Sequence, residues 1–266
     1  MNSISADLNI MIKASEKASK ALIRDFGELE KLQVSTKGPS DFVSNADTKA
    51  EKIIIDELIK SKIISYVNGV VKSGKESVVF WAIGPNESNI ALKVYLVTTS
   101  NFKKRSEYLI GDPRFSHVKK GTKNLVYLWA KKEFHNILQC HNLGIPVVKP
   151  IHVSKNILVL EFVGTNGIPA KTLLESNVDD DDYHQSLQIL SDLYTKAKLI
   201  HGDFSEFNIF KTSSGLKLFD LGSAVDVNHP KMMEFLKRDI NNITTFFVKR
   251  GLTVENPVDI LSRITK

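Results

Sequence analysis

The chain has little or none of several features that define whole classes of protein. Among its 266 residues there is one cysteine, Cys140, which excludes an intramolecular disulfide framework and fits a reducing compartment such as the cytoplasm. No apolar run reaches the roughly 18 residues of a membrane-spanning helix, and no secretory signal is recognisable. These absences predict a cytoplasmic protein without a membrane span, and the length allows one or two domains.

The two common glycine-rich phosphate loops are also missing. Neither G-x-G-x-x-G nor G-x-x-x-x-G-K-[ST] occurs, and the polar turn between the apolar runs 70–71 and 78–82 contains only Gly74. Taken alone, this turn is typical of an ordinary hairpin. Because it precedes the strand-like run 89–97, it is also where a loop that covers phosphates is expected.

The most informative motif that is present runs from His201 to Asn208, and Asp220-Leu221-Gly222 follows twelve residues later. Asp203 and Asn208 have the spacing of the kinase loop H-R-D-x-x-x-x-N, and Asp220 matches the metal-binding Asp of D-F-G. A capped loop and a turn would explain either piece alone, but the joint spacing favours a phosphoryl-transfer site. Strands predicted around a turn at 212–215 would bring Asn208 and Asp220 to one mouth.

A lysine and a glutamate stand upstream in the order that kinases use. Lys93 lies within the strand-like run 89–97 and resembles the V-A-I-K lysine that binds phosphates, although a surface strand lysine is the alternative. Glu133 lies in a predicted helix through 128–138, where it would fix Lys93, unless it is a solvated helix charge.

Two more strands, a hinge and a further helix follow from the sequence pattern. Strands are predicted at 147–152 and 157–163, and 161–164 would form a hinge whose backbone meets adenine. The acidic run Asp179–Asp182 is expected to be the solvated start of a helix through Tyr194.

Residues 63–266 resemble the RIO family of atypical protein kinases, nearest to the type-1 branch with archaeal character. The resemblance rests on the segments 73–77, 91–95, 107–115, 201–208, 220–222, 229–230 and 234–239. It implies an α+β fold with two lobes, a mostly antiparallel sheet lobe and a truncated helical lobe, with ATP and Mg²⁺ between them.

The resemblance also implies a role for each matching residue. Asp203 would be the catalytic Asp, and Asn208 and Asp220 would bind Mg²⁺, with Asp220 also able to become an aspartyl-phosphate. Glu133 would fix Lys93. Nucleotide contacts would come from Ser73, Gly74, Lys75, Glu76, Ser77 and Lys93, with Glu161 and Val163 framing adenine.

The expected function is ATP·Mg²⁺-dependent phosphoryl transfer, to a protein Ser/Thr, in autophosphorylation, or in an ATPase cycle. The resemblance implies maturation of the small ribosomal subunit, with the pre-ribosomal particle and its rRNA as partners. The alternative is a nucleotide-sensing ribosome-assembly module with incidental catalysis. No A-P-E element follows Gly222, and Ser205 replaces the usual lysine after the Asp, so poor peptide recognition and slow turnover are expected.

Residues 1–60 have a different character. Two helices are predicted, one through 8–26 and one from about Ser44 to Ile59, separated by a break at 37–40. The segment 37–51 resembles the start of bacterial inositol-monophosphatase-family enzymes, but their later metal motifs are missing, so that activity is improbable. We expect a hybrid: an extension at 1–60, a sheet lobe at 61–163 and a helical lobe at 164–266.

The interval between Lys93 and Glu133 contains a basic insertion at 103–123. It is either a solubilising loop or a loop that meets RNA phosphates or the nucleotide. Its seven cationic residues are Lys103, Lys104, Arg105, Arg114, Lys119, Lys120 and Lys123.

Overall fold

A computed structural model describes residues 34–36, 42–44, 58–74, 76–96, 106–115 and 122–266. Its strands are β1 (Val34–Thr36), β2 (Phe42–Ser44), β3 (Tyr66–Ser73), β4 (Ser77–Ile83), β5 (Asn89–Tyr95), β6 (Pro150–Ser154), β7 (Ile157–Glu161), β8 (Gly164–Thr165), β9 (Ile168–Pro169), β10 (Leu199–Ile200), β11 (Ile209–Thr212), β12 (Gly215–Leu218) and β13 (Val225–Asp226). The helices are α1 (Thr122–Asn142), α2 (Asp180–Thr195), α3 (Met232–Lys249) and α4 (Pro257–Thr265), with short 3-10 turns at Pro85–Glu87, Ser106–Tyr108 and Pro113–Phe115.

The first lobe is built on an antiparallel sheet of five strands in the order β3-β4-β5-β7-β6. Side chains in β4 and β5 alternate between buried and partly exposed, as a sheet with one covered face requires. One apolar cluster on this sheet includes Leu58 and Ile64, which precede β3. Residues before β3 therefore belong to the core of this lobe.

Helix α1 packs along β6 and β7 and carries Glu133. Its buried residues recur at helical spacing, including Val126, Trp129, Ile137 and Cys140. Because residues three and four apart share a helix face, Glu133 and Ile137 are buried together. The lone cysteine is thus a core residue, and burial raises the pKa of its thiol to about 12.

The second lobe combines α2, α3 and α4 with the hairpin β11-β12. The helix α2 begins at the acidic run, as predicted, and Asp179 and Asp182 form a reciprocal capping box there. The predicted solvation of that run is wrong for Asp182, which is 3% exposed and whose carboxylate accepts a 2.6 Å hydrogen bond from Lys211 in place of water.

Two sequence-based boundaries need correction. The strand expected at 147–152 begins at Pro150, and Val147 makes only an isolated bridge to Leu218. The helix expected to start near Ser44 does not include Ser44, which ends β2 opposite Val34. Residues 58–60 are helical, and the remainder of both N-terminal helices predicted from sequence lies outside the described residues.

No helix in the described part of the chain combines the length and apolar character needed to cross a membrane.

Candidate active site

A cleft of about 400 Å³ lies between the sheet of the first lobe and the hairpin of the second. Its wall on the sheet side includes Ala91 and Lys93 of β5, and the second lobe contributes Asn208 and Asp220. Its apolar floor includes Phe210 and Phe219, whose rings stack with centroids 4.0 Å apart. An apolar cleft with aromatic residues and a few convergent charges is typical of a small-molecule or cofactor site.

Lys93 is the central charge of this cleft. Its Nζ lies 2.9 Å from Oε1 of Glu133 and 3.1 Å from Oδ2 of Asp220. Strand β5 supplies the lysine, helix α1 supplies the glutamate, and the loop after β12 supplies the aspartate. The structure therefore brings together three residues that are separated by 40 and 87 positions in the sequence; the contact of Lys93 with Asp220 was not part of the sequence-based prediction.

The charged groups of this cluster shift one another's pKa values. Burial lowers the pKa of Lys93, but Asp220 and Glu133 outweigh it and leave that pKa above its usual range. Burial raises the pKa of Glu133 to about 7, and Lys93 opposes this rise. Because Lys93 donates to both carboxylate oxygens of Glu133, at 2.9 and 3.2 Å, the geometry favours the charged pair.

Tyr95 is a site residue that the sequence-based interpretation missed. Its hydroxyl group donates a hydrogen bond to Oε2 of Glu133, and its side chain is buried. Its ring also lies beneath Lys93, with Nζ 5.1 Å from the centroid. A possible signal was its position two residues after Lys93, because alternate residues of a strand share a face.

The loop after β10 carries the Asp and the Asn. The exposed Asp203 lies beside the cleft, and Asn208 donates to its backbone carbonyl at 2.9 Å. Asp220 has a φ of 62°, in the left-handed region that a non-glycine residue adopts only at a cost. This conformation directs its carboxylate toward Lys93.

Helix α3 fixes the position of this loop through hydrogen bonds to its backbone. The carboxylate of Asp239 accepts from the backbone N–H groups of Gly202 and Phe204 at 2.7 and 2.9 Å, and Arg238 donates to the carbonyl of Gly202. Burial raises the pKa of Asp239 to about 7. His201 is fully buried, and burial lowers its pKa to about 4. The segments 201–208 and 234–239 carry part of the sequence resemblance, but the sequence did not predict the contacts between them.

The hinge predicted at 161–164 contributes residues to the cleft lining. Glu161 and Val163 line the cleft, but Oε1 of Glu161 lies 2.9 Å from Nζ of Lys217 and accepts from the N–H of Lys149 at 2.7 Å. The Glu161 side chain therefore joins the hinge to β12. The N–H of Glu161 also donates to the carbonyl of Lys149 at 2.9 Å. Adenine contact by the hinge backbone stays a prediction.

The expected phosphate loop is only partly in the cleft wall. Gly74 and Ser77 line the cleft, whereas Ser73 and Glu76 lie in the same turn outside its lining. The N–H of Gly74 donates to the carbonyl of Ser77 at 2.9 Å, which closes the turn. Lys75 lies outside the described residues.

The residues present fit a nucleotide with a divalent cation. Asn208 and Asp220, which both line the cleft, offer the hard oxygen donors that Mg²⁺ prefers, and Lys93 is available for phosphate oxygens. Bound ATP·Mg²⁺ would supply the phosphoryl group and the charge that neutralises it.

The basic insertion has a structured part. Arg114 does not extend into solvent as a free cation, because its guanidinium group pairs with Asp112 at 2.7 Å and donates to Asn136 at 2.8 Å. Lys123 belongs to the first turn of α1. The other five cations of the insertion lie outside the described residues.

Comparisons with known proteins agree with this architecture. The RIO domain family matches residues 78–260. The RIO-type serine/threonine-protein kinase Rio1 of Haloferax volcanii is 32% identical over 255 residues, covering 92% of this chain and 84% of that protein. The serine/threonine-protein kinases RIO3 of Caenorhabditis elegans and RIO1 of Homo sapiens are 33% and 28% identical, and the chain spans 47% and 43% of their lengths.

Solved structures show the same fold. A crystal structure of the Rio2 kinase from Chaetomium thermophilum, an ADP/Mg²⁺-phosphoaspartate complex, superposes with a TM-score of 0.62 at 19% identity, covering 96% of this chain and 85% of that one.

The same alignments bear on the first sixty residues. Because 92% of the chain aligns with the Haloferax protein, the alignment extends into residues 1–60. The expected join to a phosphatase start is therefore unsupported. The matched domain, the two-lobe fold and the relatives agree, and the chain belongs to the RIO family of serine/threonine-protein kinases.

Proposed function

We propose that the chain transfers the γ-phosphoryl group of ATP, with Mg²⁺, at the cleft that contains Lys93, Asn208 and Asp220. The observation that carries this proposal is the position of Lys93, whose Nζ bridges Glu133 and Asp220 in the lining of an apolar cleft. A buried cation between two carboxylates is ready to exchange one of them for a phosphate oxygen.

Each polar residue then has one role. Lys93 binds phosphate oxygens, and Glu133 holds Lys93 in place. Asn208 and Asp220 provide oxygen ligands for Mg²⁺. Asp203 orients the attacking hydroxyl group and accepts its proton. The stacked rings of Phe210 and Phe219 form an apolar surface for the base.

The acceptor is a serine or threonine hydroxyl group of a protein or, in a second route, Asp220 itself. In that route a carboxylate oxygen of Asp220 bonds to the γ-phosphorus while the bond to the β-phosphate oxygen breaks, and ADP leaves. Water then hydrolyses the acyl phosphate and releases phosphate. The phosphoaspartate in the Chaetomium Rio2 complex supports this route.

Phosphate release from ATP tests the proposal. The wild-type chain should release phosphate only with Mg²⁺, and Asp220→Asn should abolish turnover because the cation loses a charged ligand. Asp259→Asn, an exposed change on α4, is the matched control and should behave as wild type. Wild-type-like hydrolysis by Asp220→Asn would refute the assignment. A phosphoaspartate trapped on the wild-type chain would separate the second route from the first.

We also propose a pre-ribosomal small subunit, with its rRNA, as the cytoplasmic partner. The RIO resemblance and the cations of the basic insertion support this proposal. If the insertion binds RNA, replacing Lys103, Lys104 and Arg105 by Gln should flatten the dependence of RNA affinity on salt, since each phosphate contact releases counterions. If it guards the nucleotide, the same change should alter ATP affinity alone.

A further inference from the structure

Lys132 precedes Glu133 on α1 and is buried at the junction of the lobes. Its side chain is 1% exposed, and its Nζ donates to the carbonyl oxygens of Gly222 and Ala224 at 2.7 and 2.6 Å. The ring of Trp129 lies 5.1 Å from the same Nζ. Lysine is rarely buried, because desolvation of an ammonium group is costly unless hydrogen bonds replace the water.

Two more donors reach the same stretch of backbone. Asn136, one helical turn after Lys132, donates to the carbonyls of Leu221 and Ala224 at 2.9 and 3.1 Å. Arg114 donates to Ala224 at 3.3 Å. We call Lys132, Asn136 and Arg114 the carbonyl clamp. All three act on the backbone of residues 221–224, which follows Asp220 directly.

The segment is also held by close packing. A Cβ atom on Gly222 would lie 2.7 Å from Nε1 of Trp129, so no larger residue fits while the backbone stays there. Asp220 itself has a φ of 62°, a conformation that neighbouring contacts must maintain. Lys132 and Asn136 supply such contacts from the helix that also carries Glu133, and Arg114 supplies one from the 3-10 turn Pro113–Phe115.

We propose that Lys132 is a positioning residue for phosphoryl transfer, whose ammonium group fixes the Gly222 and Ala224 carbonyls and thereby holds the Asp220 carboxylate in register with Glu133. The inference rests on the proposed function, because the proposed function makes Asp220 a ligand of Mg²⁺. Lys132 contacts the backbone after Asp220, and it acts through the position of that loop.

The cluster couples two parts of the site that the sequence separates widely. If α1 shifts, Lys93 loses Glu133 and residues 221–224 lose their donors in the same movement. Partners that support a metal ligand commonly change metal affinity or activity by about 10- to 100-fold when they are removed. Lys132 should have an effect of this size.

The first test is Lys132→Met, with Lys131→Met as the matched control, since Lys131 is the exposed neighbour on the same helix. Methionine keeps most of the side-chain volume and removes the charge. Hydrogen exchange of the protein without nucleotide should accelerate for amides 221–226 in Lys132→Met and not in Lys131→Met. This readout does not depend on catalysis.

The second test measures the affinity for nucleotide and the affinity for Mg²⁺ separately. Lys132→Met should bind ADP without Mg²⁺ within about twofold of wild type, while the Mg²⁺ affinity of the ADP complex and kcat should each fall about 10- to 100-fold. Unchanged exchange, Mg²⁺ affinity and kcat would overturn the proposal. If wild type and Lys131→Met show no Mg²⁺-dependent turnover, the proposed function fails instead.

A second variant decides the case in which Lys132→Met does not fold. Asn136→Ala removes the other donor of α1, and His135→Ala, an exposed neighbour, is its control. Asn136→Ala should show the same faster exchange at 221–226 and a weaker Mg²⁺ affinity, by about tenfold. Exchange and Mg²⁺ affinity equal to those of His135→Ala would overturn the proposal.

Discussion

The carboxylate of Asp239 accepts a 2.7 Å hydrogen bond from the backbone N–H of Gly202, so helix α3 holds the loop that carries Asp203. The second carboxylate oxygen accepts from Phe204 at 2.9 Å. Because Asp239 is fully buried, these two N–H groups have no access to water as an alternative acceptor. The position of Asp203 therefore depends on a residue that does not face the cleft.

Asp239→Asn should lower the free energy of unfolding by about 1–3 kcal/mol, because the amide has one acceptor oxygen and leaves one buried N–H unpaired. It should also reduce kcat, since Asp203 moves with its loop. Urea denaturation at pH 8 and phosphate release measure the two effects. Asp259→Asn is the control, and equal stability of the two variants would contradict the anchoring role.

The buried His201 is expected to make the folded protein less stable as the pH falls. In the folded chain burial lowers its pKa to about 4, against 6.5 for the ordinary group. Between these values the unfolded chain binds a proton that the folded chain excludes, so the His201 contribution is lost as the pH falls from 6.5 to 4. The shift corresponds to about 3 kcal/mol. Urea titrations of wild type and His201→Asn at pH 5 and 7.5 should show a shallower dependence on pH in the variant, and equal slopes would refute this account.

Several elements of the fold can be predicted from local sequence patterns. The spacing of Asp203, Asn208 and Asp220 and the alternation in 209–219 predict the hairpin and the residues at its mouth, and β11 and β12 lie within that stretch. The helix predicted through 128–138 lies inside α1. These elements are predictable because periodicity and turn residues act over a few positions.

The supporting contacts could not be predicted in the same way. Tyr95 and Lys132 have ordinary places in a strand and a helix, and their roles arise from partners 38 and 90 positions away. The charge of Asp182 was assigned to solvent because its partner, Lys211, lies on another element. Only packing brings such pairs together.

Leu58 shows that the segment before β3 contributes to the sheet lobe. Its side chain is fully buried in the cluster with Ile64 and Phe80, whereas Ile59 is 39% exposed. Leu58→Ala should cost about 2–5 kcal/mol of stability, and Ile59→Ala should change it by less than about 0.5 kcal/mol. Thermal melts measure both. Deleting residues 1–60 should therefore lower stability, and we expect nucleotide binding to survive where the truncated chain folds.

Tyr95 offers a conservative test of the charged cluster. Tyr95→Phe removes only the hydroxyl group that donates to Glu133. A hydrogen bond to a charged group contributes about 1.5–3 kcal/mol, so kcat/KM for ATP should fall roughly tenfold or more as Glu133 loses its fixed position. Tyr66→Phe, on an exposed tyrosine of β3, is the control. Equal kcat/KM values for the two variants would show that Glu133 does not need Tyr95.

Asp203 and Lys93 should separate chemistry from binding. Asp203 is exposed beside the cleft and is not part of its lining, so Asp203→Ala should leave ATP affinity within about twofold and lower kcat by about 10²- to 10⁴-fold, the range for a lost general base. Lys93→Met removes the cation between Glu133 and Asp220, and two carboxylates would then face the phosphates without a counter-charge. This variant should bind ATP at least about tenfold more weakly. Calorimetry of ATP binding beside single-turnover kinetics distinguishes the two, and a loss of affinity in Asp203→Ala as large as in Lys93→Met would show that the proposed division of roles is wrong.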